Sequence, residues 1–182
     1  MRELSLHILD LAQNSIAAEA RNIRIDVIAD TRADRLAISI TDDGKGMDPD
    51  FLARVKDPFT TTRKTRRVGM GIPMFTEAAR ACDGELKVKS KPGDGTSLVA
   101  TFKLTHIDRA PLGDIATTLI TLVAANPNID FVYMQKVDDN EFVLDTKEIK
   151  TQLDGVPINE ASVLKWIREY VETGTSGELE VI

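Results

Sequence analysis

The chain has few of the residues that staple or metallate a small protein. Of its 182 residues only Cys82 is a cysteine, so it can build neither a disulfide framework nor a thiolate metal cage. Its two histidines, His7 and His106, stand far apart, and no zinc motif joins them. No apolar run reaches the length of a membrane span, and the opening MRELSLHILD lacks the layout of a secretory leader. Positive charge is in the minority, with 23 Lys and Arg against 29 Asp and Glu and a formal net charge of -6. Phosphate binding favours a basic surface, so nucleic acid is not the expected main partner, although a local basic cluster is compatible with this balance. These absences lead us to expect a cytoplasmic globular protein that engages neither nucleic acid nor membrane. Its length suits one domain with a substantial core and a small appended unit.

Hydrophobic period organises the rest. In ELSLHILDLAQNSIAAEA, Leu4, Ile8, Leu11, Ala12 and Ile16 recur at helical steps, while Glu3, His7, Asp10 and Asn14 form a polar stripe. NIRIDVIAD and RLAISIT alternate and predict two half-buried strands joined by a turn near residues 30–34. DPDFLARV predicts a short helix. DPFTTTRKTRRVGMG has no period and predicts a loop, and IPMFTEAARACDG predicts a helix with Pro73 in its first turn and Gly84 at its end. ELKVKS and SLVATFKL flank the turn KPGDGT as two more strands. The expected fold is therefore an α/β (α+β) two-layer sandwich, with a mixed, mostly antiparallel sheet and helices on one face. Pro111 opens a small α/β extension: a helix, the hairpin IDFVYMQKV and EFVLDT, two further helices, and a loosely held tail TSGELEVI. We place the boundary at residue 105, giving units 1–105 and 106–182, and expect a chain ending near Leu104 to fold.

One stretch, ITDDGKGMD, decides between bland and functional readings. Asp and Gly are ordinary turn residues, and taken alone a turn is the better account. A phosphate loop of the Walker type is excluded because Gly46 is followed by Met47, and a calcium loop lacks its alternate acids and late Glu. Three further pieces line up with it: DLAQNS on the first helix, the loop FTTTRKTRRVGMGIPM, and the turn PGDGT.

In order and spacing these four pieces resemble the ATP-binding domain shared by gyrase, the ninety-kilodalton heat-shock chaperones, histidine kinases and MutL, the GHKL or Bergerat fold. The resemblance spans residues 3–104. It implies that Asp42 accepts a hydrogen bond from the adenine amino group and that Gly44 and Gly46 let the backbone pass close to the base. Met47 and Ile72 would supply apolar surface to that base, and Asn14 would coordinate magnesium through its amide oxygen. Phe59, Thr60, Thr61, Thr62 and Arg63 stand in the place of the kinases' Phe-x-Thr-Thr-Lys segment. Gly69, Met70, Gly71 and Ile72 resemble the GxGLGL lid motif, with Pro73 replacing its next glycine. Backbone amides at the start of the Pro73 helix would face the phosphates. Lys64, Arg66 and Arg67 add positive charge to the lid, and Gly93, Gly95 and Thr96 match a late GxGT turn whose Thr supports the adenine pocket. ATP and Mg2+ are the implied cofactors.

The chain also departs from the family pattern. The general base four residues before the Asn is Glu in the family and Asp10 here, one methylene shorter. Asp43 stands where many relatives carry Asn. No phosphoacceptor hairpin is evident, and His7 is expected to be a buried or helix-face residue. We expect a stand-alone kinase-like catalytic domain that transfers phosphate to a separate protein or regulates it. The alternative is an ATP-operated switch or nucleotide sensor with slow hydrolysis. A protein partner follows from either reading, and oligomeric state stays open, with a homodimer among the options. Residues 106–182 carry no family resemblance. Their helix pair at 146–173 has a weak helix-turn-helix pattern, but Glu160, Glu169 and Glu172 outweigh Lys165 and Arg168, so partner docking is expected there rather than DNA binding.

Overall fold

The computed structural model describes residues 3–57, 70–177 and 181–182. Twelve elements follow one another: α1 (Leu4–Ala17), β1 (Asn22–Asp30), β2 (Arg35–Asp42), α2 (Pro49–Arg54), α3 (Gly71–Ala81), β3 (Leu86–Lys91), β4 (Gly95–Lys103), α4 (Ile115–Ala125), β5 (Asp130–Val137), β6 (Asn140–Asp145), α5 (Thr146–Gln152) and α6 (Ala161–Thr175). The strands form one six-stranded sheet in the order β3-β4-β2-β1-β5-β6. β1 and β5 run parallel, and every other pair is antiparallel.

Alternation places the sheet. Ile23, Ile25, Val27 and Ala29 of β1 point inward beside Leu36, Ile38 and Ile40 of β2, all nearly inaccessible to water. A one-residue slip would turn this whole set out to solvent, at a cost of about 1.5–3 kcal/mol per large side chain, so the register is strongly specified. α1 and α3 pack against each other and onto this face, α4 packs on α1, and α6 on α4. Phe75 of α3 joins Phe102 of β4 with ring centroids 5.6 Å apart.

The sheet does not stop at residue 105. β5 pairs with β1 along its length, and α4 supplies Leu119, Leu122 and Val123 to the same buried cluster as α1. The start of α1 is satisfied from across that boundary as well. No Glu3 side-chain bond caps α1; instead Leu4 N donates to Pro111 O at 2.9 Å and Ser5 N to Leu112 O at 2.8 Å. These are orphan helix amides that need an acceptor from somewhere.

Against the expectation of a loose tail, the last two residues are held, while 178–180 lie outside the described residues. Ile182 is buried, and its backbone oxygen accepts from Leu112 N at 2.8 Å and from the Arg109 guanidinium at 2.9 Å. Arg109 also reaches Leu104 O at 2.6 Å and Val181 O at 3.3 Å. Among the described residues, no helix is long and apolar enough to cross a membrane.

Candidate functional site

Asp42 is the last residue of β2 and, by the pleat, falls on the inward side with Leu36, Ile38 and Ile40. It is 8% exposed. A buried carboxylate without partners is costly, and three donors converge on this one. Ser15 Oγ of α1 donates to Oδ2 at 2.6 Å, while Gly44 N and Thr96 N donate to Oδ1 at 2.9 and 3.3 Å. A carboxylate offers about four acceptor sites, so among the described residues this set leaves one lone pair, on Oδ2, for a further donor. The fit to an exocyclic amine rests on that remaining site.

Glycine is required in the loop because the loop is wedged between two parts of the protein. A side chain at Gly46, whose φ is +69°, would collide with the Lys91 carbonyl of the β3–β4 hairpin. At Gly44 an added Cβ would lie 2.7 Å from the Ala18 carbonyl at the end of α1. The loop's far side is tied through Ser90, whose Oγ accepts from Met47 N at 2.9 Å and lies 2.9 Å from Thr96 Oγ1. Thr96 thus touches Asp42 through its amide and, through its hydroxyl, the Ser90 that holds the loop. Met47 is half-buried and Ile72 buried, both against the core.

Asp43 has a different job from its neighbour. Its carboxylate accepts from Arg21 N, Asn22 N and Asn22 Nδ2 at 2.8, 2.9 and 2.7 Å, fastening the end of β2 to the start of β1. Partial burial pushes its pKa up, but the bonds from Asn22 and Arg21 outweigh this and hold it below the usual carboxylate range.

A second cluster forms where α3 begins. An ideal Cβ on Gly71 would stand 2.6 Å from Asp10 Oδ2 and 3.3 Å from Asn14 Nδ2, so the backbone of the first turn of α3 lies against the polar stripe of α1. Met70, the N-cap residue, makes no side-chain cap bond, and the first turn contains no acid. First-turn amides of this kind favour anions. Asn14 stands beside them with its Nδ2 nearest Gly71, and its side-chain amide also carries an oxygen of the hard type that magnesium takes. The donor set therefore suits a phosphate and a magnesium ion. Met70 itself is 48% exposed. Phe59, Thr60, Thr61, Thr62, Arg63, Lys64, Arg66, Arg67 and Gly69 lie outside the described residues.

His7 sits one turn before Asp10 on α1 and is buried, with its ring 5.0 Å from that of Phe75. Its Nδ1 has no hydrogen-bond partner among the described residues. Burial lowers its pKa to about 4, against a smaller upward pull from Asp10. The ring is a neutral packing element between α1 and α3.

Ser15 and Ser90 escaped the sequence reading, yet both leave a trace in it. Ser15 follows Leu4, Ile8 and Leu11 on the buried stripe, and Ser90 follows Leu86 and Val88 on the inward side of β3. A hydroxyl on an otherwise apolar stripe needs a polar partner inside the fold.

Comparison with known proteins adds independent findings. Residues 2–106 match the family described as histidine kinase-, DNA gyrase B-, and HSP90-like ATPase. The sensor protein kinase FleS of Pseudomonas aeruginosa is 44% identical over 108 residues, covering 59% of this chain and 26% of that protein. Sporulation kinase C of Bacillus subtilis is 30% identical over 88 residues, 48% of this chain and 20% of the kinase. The chain thus spans about a quarter or less of these two relatives. Among solved structures, full-length ShkA in complex with AMPPNP gives a TM-score of 0.45 at 24% identity, covering 53% of this chain and 20% of that one. The N-terminal domain of a DNA repair protein gives 0.49 at 15% identity, covering 97% and 59%.

Proposed function

Because the chain belongs to the histidine kinase-, DNA gyrase B-, and HSP90-like ATPase family, we propose that residues 1–105 bind Mg-ATP through Asp42 and Asn14. On this reading the protein is a stand-alone, cytoplasmic kinase-like catalytic domain in signal transduction. It passes a phosphate to a separate protein, or regulates that protein.

The observation that carries the reading is the immobilised Asp42 carboxylate with one acceptor site left over. An adenine amino group is a donor that such a site recognises, whereas a guanine carbonyl in the same place would meet a carboxylate and be rejected. Asn14 would hold magnesium, which when bound neutralises phosphate charge. The uncapped start of α3 would face the phosphates, and Gly69, Met70, Gly71 and Ile72, with Thr60, Thr61, Thr62, Arg63 and Lys64, would form the lid. The sensor-kinase relatives support kinase chemistry over other uses of the fold.

Asp10 would orient water or an acceptor hydroxyl. It is one methylene shorter than the usual Glu, and misplacement of that order costs about a hundredfold in rate. Slow intrinsic hydrolysis follows, which also suits the second reading, an ATP-operated switch or sensor. One contact favours that second reading: α1, which carries Asp10 and Asn14, starts on the backbone of Pro111 and Leu112, so a shift in α1 is felt beyond residue 105.

Incubation of the whole chain with γ-labelled ATP, alone and with co-purifying proteins, separates these outcomes. Label on protein supports transfer, free phosphate supports hydrolysis, and neither with tight binding supports a sensor. In the same assay Asp10→Glu should speed release of phosphate and Asn14→Ala should remove the magnesium-dependent part of binding. Equal ATP affinity for Asn14→Ala and wild type in magnesium would contradict the metal assignment.

A further inference from the structure

The Asp42 carboxylate lies on the inward side of the sheet. The opposite side carries a separate concavity at the same end of β2, with a volume of about 260 Å³. Its floor follows a row of cross-strand partners: Thr41 of β2 lies beside Arg24 of β1, Arg24 beside Val132 of β5, and Val132 beside Asp145 of β6. By the pleat these side chains point away from Ile23, Ile25 and Ile40, which are in the core. Asn22 and its partner Asp130 stand at the strand ends, and Lys147 in the first turn of α5 closes another side. Asp130, Val132, Asp145 and Lys147 lie outside the residues 2–106 that match the family. The concavity therefore exists because β5 docks in parallel beside β1.

The hydrogen bonds already made decide which groups remain for a ligand. Asp43 is taken up by Arg21 and Asn22, and Asp145 by the start of α5. Arg24 Nε stands 2.8 Å from Asp26 Oδ1, which orients the guanidinium and leaves its terminal nitrogens to another acceptor. The Lys147 ammonium has no partner among the described residues. A guanidinium and an ammonium beside one floor suit a carboxylate. Across from them, Lys150 takes Asp130 Oδ1 at 2.7 Å and leaves Oδ2, while Asn22 gives Nδ2 to Asp43 and leaves Oδ1. Those acceptors suit an ammonium group.

The balance of charge selects the ligand. Asp43, Asp130 and Asp145 are offset by Arg24, Lys147 and the Lys150 that Asp130 holds, so neither a bare anion nor a bare cation is favoured. Among the described residues, no three acids are placed to hold a metal ion. A small molecule carrying both charges a few bonds apart satisfies both sides, and Val132 gives its side chain an apolar floor. We propose that the chain binds a small apolar α-amino acid here. Its carboxylate lies between Arg24 and Lys147, its ammonium on Asp130 and Asn22, and its side chain on Val132. This inference does not rest on the nucleotide reading.

Calorimetric titration of the whole chain, without nucleotide, with L-alanine, L-valine and L-leucine tests it. At least one should bind, and its N-acetyl and amide derivatives, each lacking one charge, should bind about tenfold more weakly or worse. Arg24→Gln and Lys147→Gln should each weaken the amino acid by about tenfold or more. Lys147→Gln breaks no bond within the fold, so its loss of affinity reports the site rather than stability. Absence of binding by all of these amino acids overturns the proposal. Acetate or inorganic phosphate bound as tightly as the amino acid would remove the zwitterion, and unchanged affinity in both variants would remove the place.

Discussion

Three strands of this sheet end in an aspartate, and two of these acids, Asp42 and Asp145, have opposite fates. Asp42 closes β2 and is bound by Ser15, 27 residues away, and Thr96, 54 residues away, as well as by the nearby Gly44. Asp145 closes β6 and accepts from Lys147 N at 2.8 Å and Glu148 N at 3.3 Å, capping the helix that follows. The second acid is served by its immediate neighbours in the chain and ends as a helix cap. The first is gripped by α1 and β4, is buried, and retains an acceptor site. The same residue type at the same kind of position reads as structure when its partners are local, and as a candidate binding group when distant elements are spent on orienting it. The comparison extends to the regions around them: the part before residue 106 converges on its strand ends, and the part after it extends the sheet and shields α1.

The largest effect should come from separating the two regions. We propose that residues 1–105 are the nucleotide-binding unit, so a chain ending at Leu104 should still bind ATP. It loses β5 from the edge of β1 and α4 from α1, and its thermal midpoint should fall by about 10 °C or more. An unchanged midpoint would mean that the extension contributes little to the fold. Complete failure to fold would mean that the proposed division at 105 has no independent existence.

Next is Asp42→Asn. It keeps the shape and exchanges an acceptor for a donor where the adenine amino group is proposed to bind, which should cost about 1.5–3 kcal/mol of ATP binding and reduce the preference for adenine over guanine. Asp145→Asn, by contrast, should leave ATP affinity alone. Calorimetric titration showing equal losses for both would erase the distinction drawn between them.

His7 gives a pH test confined to the α1–α3 contact. Its folded pKa of about 4 lies below the ordinary 6.5, so the unfolded chain binds the proton more readily. Stability is full above 6.5, declines as pH falls between 6.5 and 4, and the loss, on the order of 3 kcal/mol, is complete below that window. Denaturant titrations at pH 7.5 and pH 5 should differ in wild type and converge in His7→Leu. The upper part of this window lies above the ordinary carboxylate range, so a difference that persists in His7→Leu would assign it to another group.

Ser15→Ala should have the smallest effect, about 1 kcal/mol in stability or ATP affinity through a less constrained Asp42. If its loss of ATP affinity equals that of Asp42→Asn, the hydroxyl is itself a contact to the base rather than a holder of the acid.

Most of the elements could be read from the sequence because period is a local property: alternation in NIRIDVIAD and RLAISIT, and three- and four-residue steps in LSLHILDLAQ, need no partner to be seen. The hairpin after Pro111 was equally visible as a hairpin. Its place beside β1 was not, since a parallel pairing between Asn22–Asp30 and Asp130–Val137 joins segments a hundred residues apart with no turn to announce it. The anchoring of the last residue is hidden from the sequence for the same reason. TSGELEVI is polar and short, and nothing local says that Arg109 and Leu112 hold the oxygen of Ile182.

By itself the sequence determined which residues face inward, because side-chain direction follows the backbone period. It also determined that a DDGKG loop follows a strand and that a helix carries Asp10 and Asn14. Period and resemblance single out Asp42 of the paired acids, but only the tertiary structure decided which elements grip it. Asp42 falls on the inward side of the pleat under Ser15, and Asp43, one residue on, is spent on the backbone of Arg21 and Asn22. It also decided that the start of α3 lies on Asp10 and Asn14, because that contact depends on how two helices cross above a sheet that neither of them encodes.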